Sequence, residues 1–469
     1  MYLCARLSGL GMKIELSGHY SKRRLVRSAL PSIGMMVVIS VYSVVDGLFI
    51  SNFTGTTPFA AINLIWPAIM VVGALGLMVG AGGSALISKT MGEGDKDKAD
   101  AIFSILIRTC ILAGTAITVL FFAFMPAVSR WLGADGELLR LCVIYGRITV
   151  LAMPCFILQM AFQSFYMTAE KPQLGTIMSI ASGLANIILD AVFIVWLKMG
   201  LVGAALGTIA GILLGGIYPV CYFASRKNDS SLHFLPRRKS LQILSSKAED
   251  ARLHAMRHLA KVCTNGLSEY VGNISLNIVS ICYNFQLMKY LGENGVAAYG
   301  IIMYLGFVFA AVFIGYNITV SPVIGFNYGA GNTGELNSLL KKSLSLVTVT
   351  GFILAGIVIG AARPIGRIFV NYDAELLDLT VRATRIYFIS FTICGINMFT
   401  SAWFTSLNNG IVSAIVAFTR TLVFELGAVF AIPALFGIDN IWMSVNVAEV
   451  LALCLSVALI LSFRRRYGY

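Results

Sequence analysis

Charge is scarce in this chain. Of its 469 residues only 12% are charged, while 58% are hydrophobic, and the mean hydropathy is +0.82. A soluble globular domain carries about 25% charged residues, so the polar side chains needed to cover a large water-exposed surface are missing. A large water-soluble enzyme is not expected, and the apolar excess excludes disorder. The nine cysteines are scattered with no CxxC pair, and the four histidines (His19, His233, His254, His258) stand outside the apolar runs. No zinc, haem or iron–sulfur spacing is present, and no cofactor is expected. A GxxxxGK[ST] phosphate loop is also lacking, so uphill transport would have to draw on an ion gradient. The class that remains is a polytopic membrane protein. Its net charge of +13 would suggest nucleic acid in a soluble protein. In a membrane protein, basic residues instead hold loops on the cytoplasmic side.

What the sequence does have is long apolar runs. A membrane-spanning helix needs about 20 such residues. Twelve runs qualify: 30–50, 59–88, 102–128, 141–163, 173–196, 200–225, 263–289, 295–324, 341–369, 384–405, 411–436 and 441–463. They are continuously apolar and do not alternate, so helices are expected and not a β-barrel. Twelve spans put both termini on one side. With that side cytoplasmic, 24 of the 35 Lys and Arg lie in inner segments, which predicts an inner (plasma) membrane protein with both ends inside.

The longest polar interruption, 226–262, separates six spans from six. An offset of 237 residues relates the halves without gaps from residue 29 to 94. It places Leu30 on Leu267, Gly55 on Gly292, Ser84 on Ser321, and Gly92 and Gly94 on Gly329 and Gly331. The expected organisation is a terminal segment 1–28, a first lobe 29–225, a basic linker 226–262, a second lobe 263–463 and a tail 464–469. Repeats with an even number of spans share one orientation and are related by an axis along the membrane normal. The two Gly-x-Gly loops are expected to be tight turns between antiparallel helices.

Against this apolar background, acids inside spans stand out, because an ionisable group at mid-bilayer costs about 2.5–3.5 kcal/mol on insertion scales. Five of the 22 Asp and Glu qualify: Asp46, Asp190, Glu269, Glu425 and Glu449. Counting from Arg27, Lys171 and Arg226, the residues Asp46, Asp190 and Thr208 each lie roughly 27–29 Å from the cytoplasmic rim at ~1.5 Å per residue. Asn186 sits one turn from Asp190 on the same helix face. Two carboxylates, an amide and a hydroxyl suit either a Na⁺ site of oxygen ligands or a proton site. With the same offset, Asp46 falls on Tyr283 and Thr208 on Val445, so this cation site is expected in one lobe only. Glu269 is a candidate for the substrate cavity, together with Tyr42, Gln163 and Asn273. Glu425 and Glu449 could pair with Arg420. Aromatics and Met suit a pliable cavity for flat cations.

Several stretches resemble one family. LPSIGMMVVISVYSVVDGLFISNF followed by GTTPFAAINLIWP, the paired loops SKTMGEGDKDKAD and GFNYGAGN, and GLANIILDAVFIVWLKMGLVGAALGT are similar to the multidrug and toxic compound extrusion (MATE) family. The match is closest to the prokaryotic branch with an acidic site in its first lobe. The resemblance implies a twelve-helix, two-lobed, V-shaped exporter of amphipathic cationic compounds coupled to H⁺ or Na⁺, acting as a monomer. It assigns the cation site to Asp46, Asn186, Asp190 and Thr208. A tenth-span Asp found in another branch has no counterpart within 384–405. Two rivals are a flippase for a lipid-linked glycan precursor, which would need a basic cavity, and a passive channel or membrane assembly protein.

Overall fold

The computed structural model describes residues 15–469 except 226–227, 246–247 and 371–372; the side chains of 43–52, 56 and 248–249 are also outside the description. Among the described residues every regular element is helical. In hydrocarbon each backbone N–H and C=O must be satisfied within its own segment, so the apolar runs have no competing conformation.

The first lobe comprises α1 (Lys22–Phe53), α2 (Thr56–Gly92), α3 (Lys96–Trp131), α4 (Gly136–Val150 with Met153–Thr168), α5 (Pro172–Asp190, continued by the π-helix Ala191–Trp196) and α6 (Gly200–Ala224). The two parts of α4 meet at 61°. Pro154 opens the second part, where its missing N–H is tolerated. A long helical stretch, Ala248–Gly329, follows, interrupted by non-helical backbone at Gly292 (φ 63°, ψ −154°). At ~1.5 Å per residue it is about four bilayers long, and the break makes it two spans, α7 (248–291) and α8 (293–329). The second lobe continues with α9 (Thr333–Gly360), α10 (Ala374–Tyr387, a 3₁₀ turn, and Phe391–Ser406), α11 (Gly410–Phe418, the π-helix Thr419–Glu425, and Leu426–Phe436) and α12 (Ser444–Tyr467). Among the described residues this gives twelve spanning units. The stretch 248–262, read from sequence as linker, is already helical. The linker before it is tied to the first lobe: His233 N donates to Asp100 Oδ1 at 2.8 Å and Leu235 N to Ser104 Oγ at 2.7 Å.

The repeat is visible in the turns. Gly94 (φ 89°) and Gly331 (φ 69°) adopt the left-handed backbone. Next to them Asp95 caps α3 through Lys98 N, and Asn332 caps α9 through Glu335 N. Each pair is 237 apart, and both loops are the tight turns expected.

Both ends of the described chain lie on one face. Tyr20 N donates to Glu335 Oε1 at 3.0 Å, and Gly468 packs on Thr333. The lobes join along the halves of their helices nearest this face. Gly92 of α2 lies against the Phe326 carbonyl of α8, and Gly329 of α8 against the Lys89 carbonyl of α2, so closely that a Cβ on either glycine would overlap its neighbour. Thr319 Oγ1 donates to Ser32 Oγ at 2.6 Å, and Asn408 Nδ2 to the Ala85 carbonyl at 2.9 Å.

Candidate cation site and cavity of the first lobe

The site begins with a row of glycines. Gly203, Gly207, Gly211 and Gly215 recur every fourth residue along α6 and so share one face. Small residues at this spacing let membrane helices approach closely. A Cβ at Gly203 would stand 3.0 Å from Phe193 Cβ, one at Gly211 2.9 Å from the Ser182 carbonyl oxygen, and one at Gly207 would overlap Asp190 Oδ1. Helix α5 therefore lies directly on the backbone of α6, and Asp190 is sealed between them with no exposure.

Asn186, 5% exposed, donates Nδ2 to Asp190 Oδ2 at 3.1 Å. Asp190 ends the α-helical part of α5, and the π-helix starts at the next residue. Such insertions frequently mark functional positions. The structure thus brings Asn186 and Asp190 together. Thr208 follows Gly207, but its hydroxyl donates back to the Ala204 carbonyl at 3.0 Å, the usual outlet for a helical threonine. The side chain of Asp46 lies outside the described residues. Among the described residues no three His, Cys, Asp or Glu side chains gather as a metal site.

A cavity of about 420 Å³, part of it open to solvent, lies between α1, α4, α5 and α6. Its walls include Met35, Tyr42, Gln163, Tyr166, Met178 and Ser182. The last is one turn from Asn186 and two from Asp190. Tyr42 and Gln163, two of the four residues the sequence offers for a substrate cavity, are in its wall. Glu269 and Asn273 do not: they stand on α7, in the other lobe. They occupy the α7 face of Gly266, which packs on Met78 of α2, so they continue the surface turned toward the first lobe. Glu269 is exposed, and the Asn273 Oδ1 is buried without a hydrogen-bond partner. Sequence reasoning missed Ser182 as a wall residue; Tyr166 is another. Both carry buried hydroxyls with no hydrogen bond, open to a guest. The glycine spacing of α6 was the signal that could have led to Ser182.

Arg108, Arg147 and Arg420 lie well inside their spans, and each is engaged. Arg108 donates to the Leu235 carbonyl and to Ser240 Oγ. Arg147 donates to the Phe122 carbonyl and covers its ring. Arg420 pairs with Glu449 at 2.6 Å, one of the two partners the sequence left open for it. None lines the cavity.

Fold and site together define a polytopic helical membrane protein of two repeated lobes, with a buried acid and a pliable cavity in the first. The MatE family model matches residues 31–192 and again 270–430, once in each lobe, and the chain belongs to that family. It is 25% identical over 444 residues to the multidrug export protein MepA of Staphylococcus haemolyticus, covering 95% of this chain and 94% of that one. To MepA of Staphylococcus saprophyticus it is 24% identical, covering 97% and 98%. Among solved structures, the fold is similar to an outward-facing multidrug resistance MATE family transporter (TM-score 0.86, 22% identity, 97% of each chain). It is equally similar to a MOP-superfamily transporter from Pyrococcus furiosus (TM-score 0.85, 22% identity, 97% of each chain).

Proposed function

We propose that this protein is a secondary active efflux antiporter of the plasma membrane, exporting amphipathic cationic compounds in exchange for H⁺ or Na⁺. The observation that carries the reading is the sealed Asp190–Asn186 pair, one to two turns along α5 from the Ser182 wall of a cavity lined by Met, Tyr and Gln. Methionine sulfurs and tyrosine rings accommodate flat cations of varied shape. The full-length similarity to multidrug export proteins points the same way.

The coupling follows from charge. An ionised carboxylate enclosed between α5 and α6 is costly without a compensating positive charge. A proton, or Na⁺ held by oxygens of Asp190, Asn186 and Thr208 with Asp46, supplies that charge. Once it is bound, the helices around Asp190 can repack, and cation retention in the adjoining cavity weakens. A gradient drives export only if the ion binds the two lobe arrangements unequally. Lobes joined at the face of the chain ends correspond to one of these arrangements. Its inner mouth is closed if that face is cytoplasmic, as the distribution of Lys and Arg favours. A pyrophosphate-bearing lipid would need free cationic groups in the cavity, and the engagement of Arg108, Arg147 and Arg420 elsewhere speaks against a flippase.

The test is transport of a cationic dye in proteoliposomes under an imposed pH gradient, then under an imposed Na⁺ gradient. Wild type should drive dye uphill with one of them. Asp190→Asn should lose that uphill transport while keeping its thermal unfolding profile. Full gradient-driven transport by Asp190→Asn would refute the coupling role, and ion conduction without exchange would favour a channel.

A further inference from the structure

The second lobe holds charges that the first-lobe site does not use. Arg420 and Glu425 both belong to the π-helix of α11. Arg420 donates Nε and Nη2 to Glu449 Oε1 of α12 at 2.8 and 2.6 Å. The other oxygen of Glu449 accepts from Asn397 Nδ2 of α10 at 2.7 Å. Glu449 is thereby satisfied on both oxygens. Glu425 differs: it is buried, yet its carboxylate makes no hydrogen bond or ion pair among the described residues.

Two carboxylates share one guanidinium, so the cluster carries one surplus negative charge when both are ionised. The groups facing Glu425 cannot cancel it. They are Tyr283 of α7, Tyr299 of α8, Tyr387 and Cys394 of α10, Glu449 of α12, and Arg420 of its own helix. Only Arg420 is cationic, and it is committed to Glu449. Tyr283 and Tyr299 stack at 4.7 Å. Tyr283 is fully buried; its hydroxyl closes no hydrogen bond of normal geometry, although Ser444 lies beside it. The enclosure therefore offers hydroxyls and a lone acid, but no fixed positive charge for that acid.

The repeat gives these residues a second meaning. An offset of 237 takes Asp46 to Tyr283 and Gly207 to Ser444, and the α5 helix of Asp190 corresponds to the α11 helix of Glu425. The second lobe thus places an acid on the helix corresponding to α5. The residue-by-residue offset hides this, because it pairs Asp190 with Gly427.

We propose that Glu425 is a second proton-binding site, built in the other lobe from α7, α8, α10 and α11. A proton from water adds to a carboxylate oxygen of Glu425 and removes the surplus charge. Release returns that proton to water and restores the surplus charge. This site does not depend on Asp190, nor on which compounds are exported.

Infrared titration of the full chain in lipid vesicles tests it without any transport. The difference between wild type and Glu425→Gln should contain one protonated-carboxyl C=O band that disappears reversibly between about pH 5 and about pH 9. Glu425→Asp should keep a titrating band at a shifted frequency, which a loss of folding would not produce. The proposal is overturned if no band belongs to Glu425, or if its band is constant across that range. It is equally overturned if replacing potassium by sodium at fixed pH removes the band, since the site would then take Na⁺.

Discussion

Asp190 shows how far a residue could be read in isolation. An acid and an amide four apart in an apolar run predict a shared face, and the 3.1 Å contact between Asn186 and Asp190 agrees. What seals the acid could not be read so directly, because glycine is common in membrane helices and only the facing helix gives the spacing of four its meaning. Gly207→Ala tests this at the scale of one methyl group. The new Cβ would overlap Asp190 Oδ1, so either the acid or the helix must move. Overpacking of this kind costs about 1–3 kcal/mol. A lower midpoint in detergent thermal unfolding is expected, with loss of gradient-driven dye transport. Glu425 and Glu449 illustrate the limit of the sequence: both were candidates for Arg420, and only the packing of α12 against α11 decides for Glu449.

At the scale of elements, the twelve runs were legible because a bilayer leaves few alternatives to a helix. Their irregularities were not. The 61° bend in α4 and the π-helices of α5 and α11 depend on neighbours, and hydropathy averages over them. The beginning of the linker is likewise a matter of local partners. Asp229 accepts from Lys171 Nζ at 2.7 Å and from the Tyr222 hydroxyl at 2.8 Å, tying the linker to α5 and α6. Lys171 first, then Tyr222, holds its carboxyl below the ordinary value. A folded value below the unfolded one means that the tie contributes at neutral pH and is lost as pH falls through the folded value, below about 4. Asp229 is largely exposed, so the contribution is under about 1 kcal/mol. Hydrogen exchange at residues 228–231, corrected for intrinsic rate, should quicken on acidification. Lys171→Met should remove most of that pH dependence.

Across the whole molecule, the duplicated plan was readable from the 237-residue offset, and the family model matches once in each half. Which faces the lobes present to each other was not readable, since a repeat fixes equivalence and not contact. The contact proves to be equivalent on both sides: Gly92 on Phe326, and Gly329 on Lys89. Gly92→Ala and Gly329→Ala should therefore loosen the junction by similar amounts. The readout is maleimide labelling of an Ala85→Cys variant, whose position is 1% exposed in the closed junction. Both substitutions should speed labelling. A strong effect from only one of them would mean that the junction is not held symmetrically.

One contact at this junction lies on the axis itself. Ser88 and Gly325 are 237 residues apart and meet each other, with Ser88 Oγ in the space that a Cβ on Gly325 would need. In an unfused ancestor of two identical chains, a residue on the axis would face its own copy, and a serine there would have met a serine. The snug serine-on-glycine fit is closed to two identical halves and open to a chain whose halves differ in sequence. Their meeting point is thus unequal, which is the first requirement for two lobes to take different tasks.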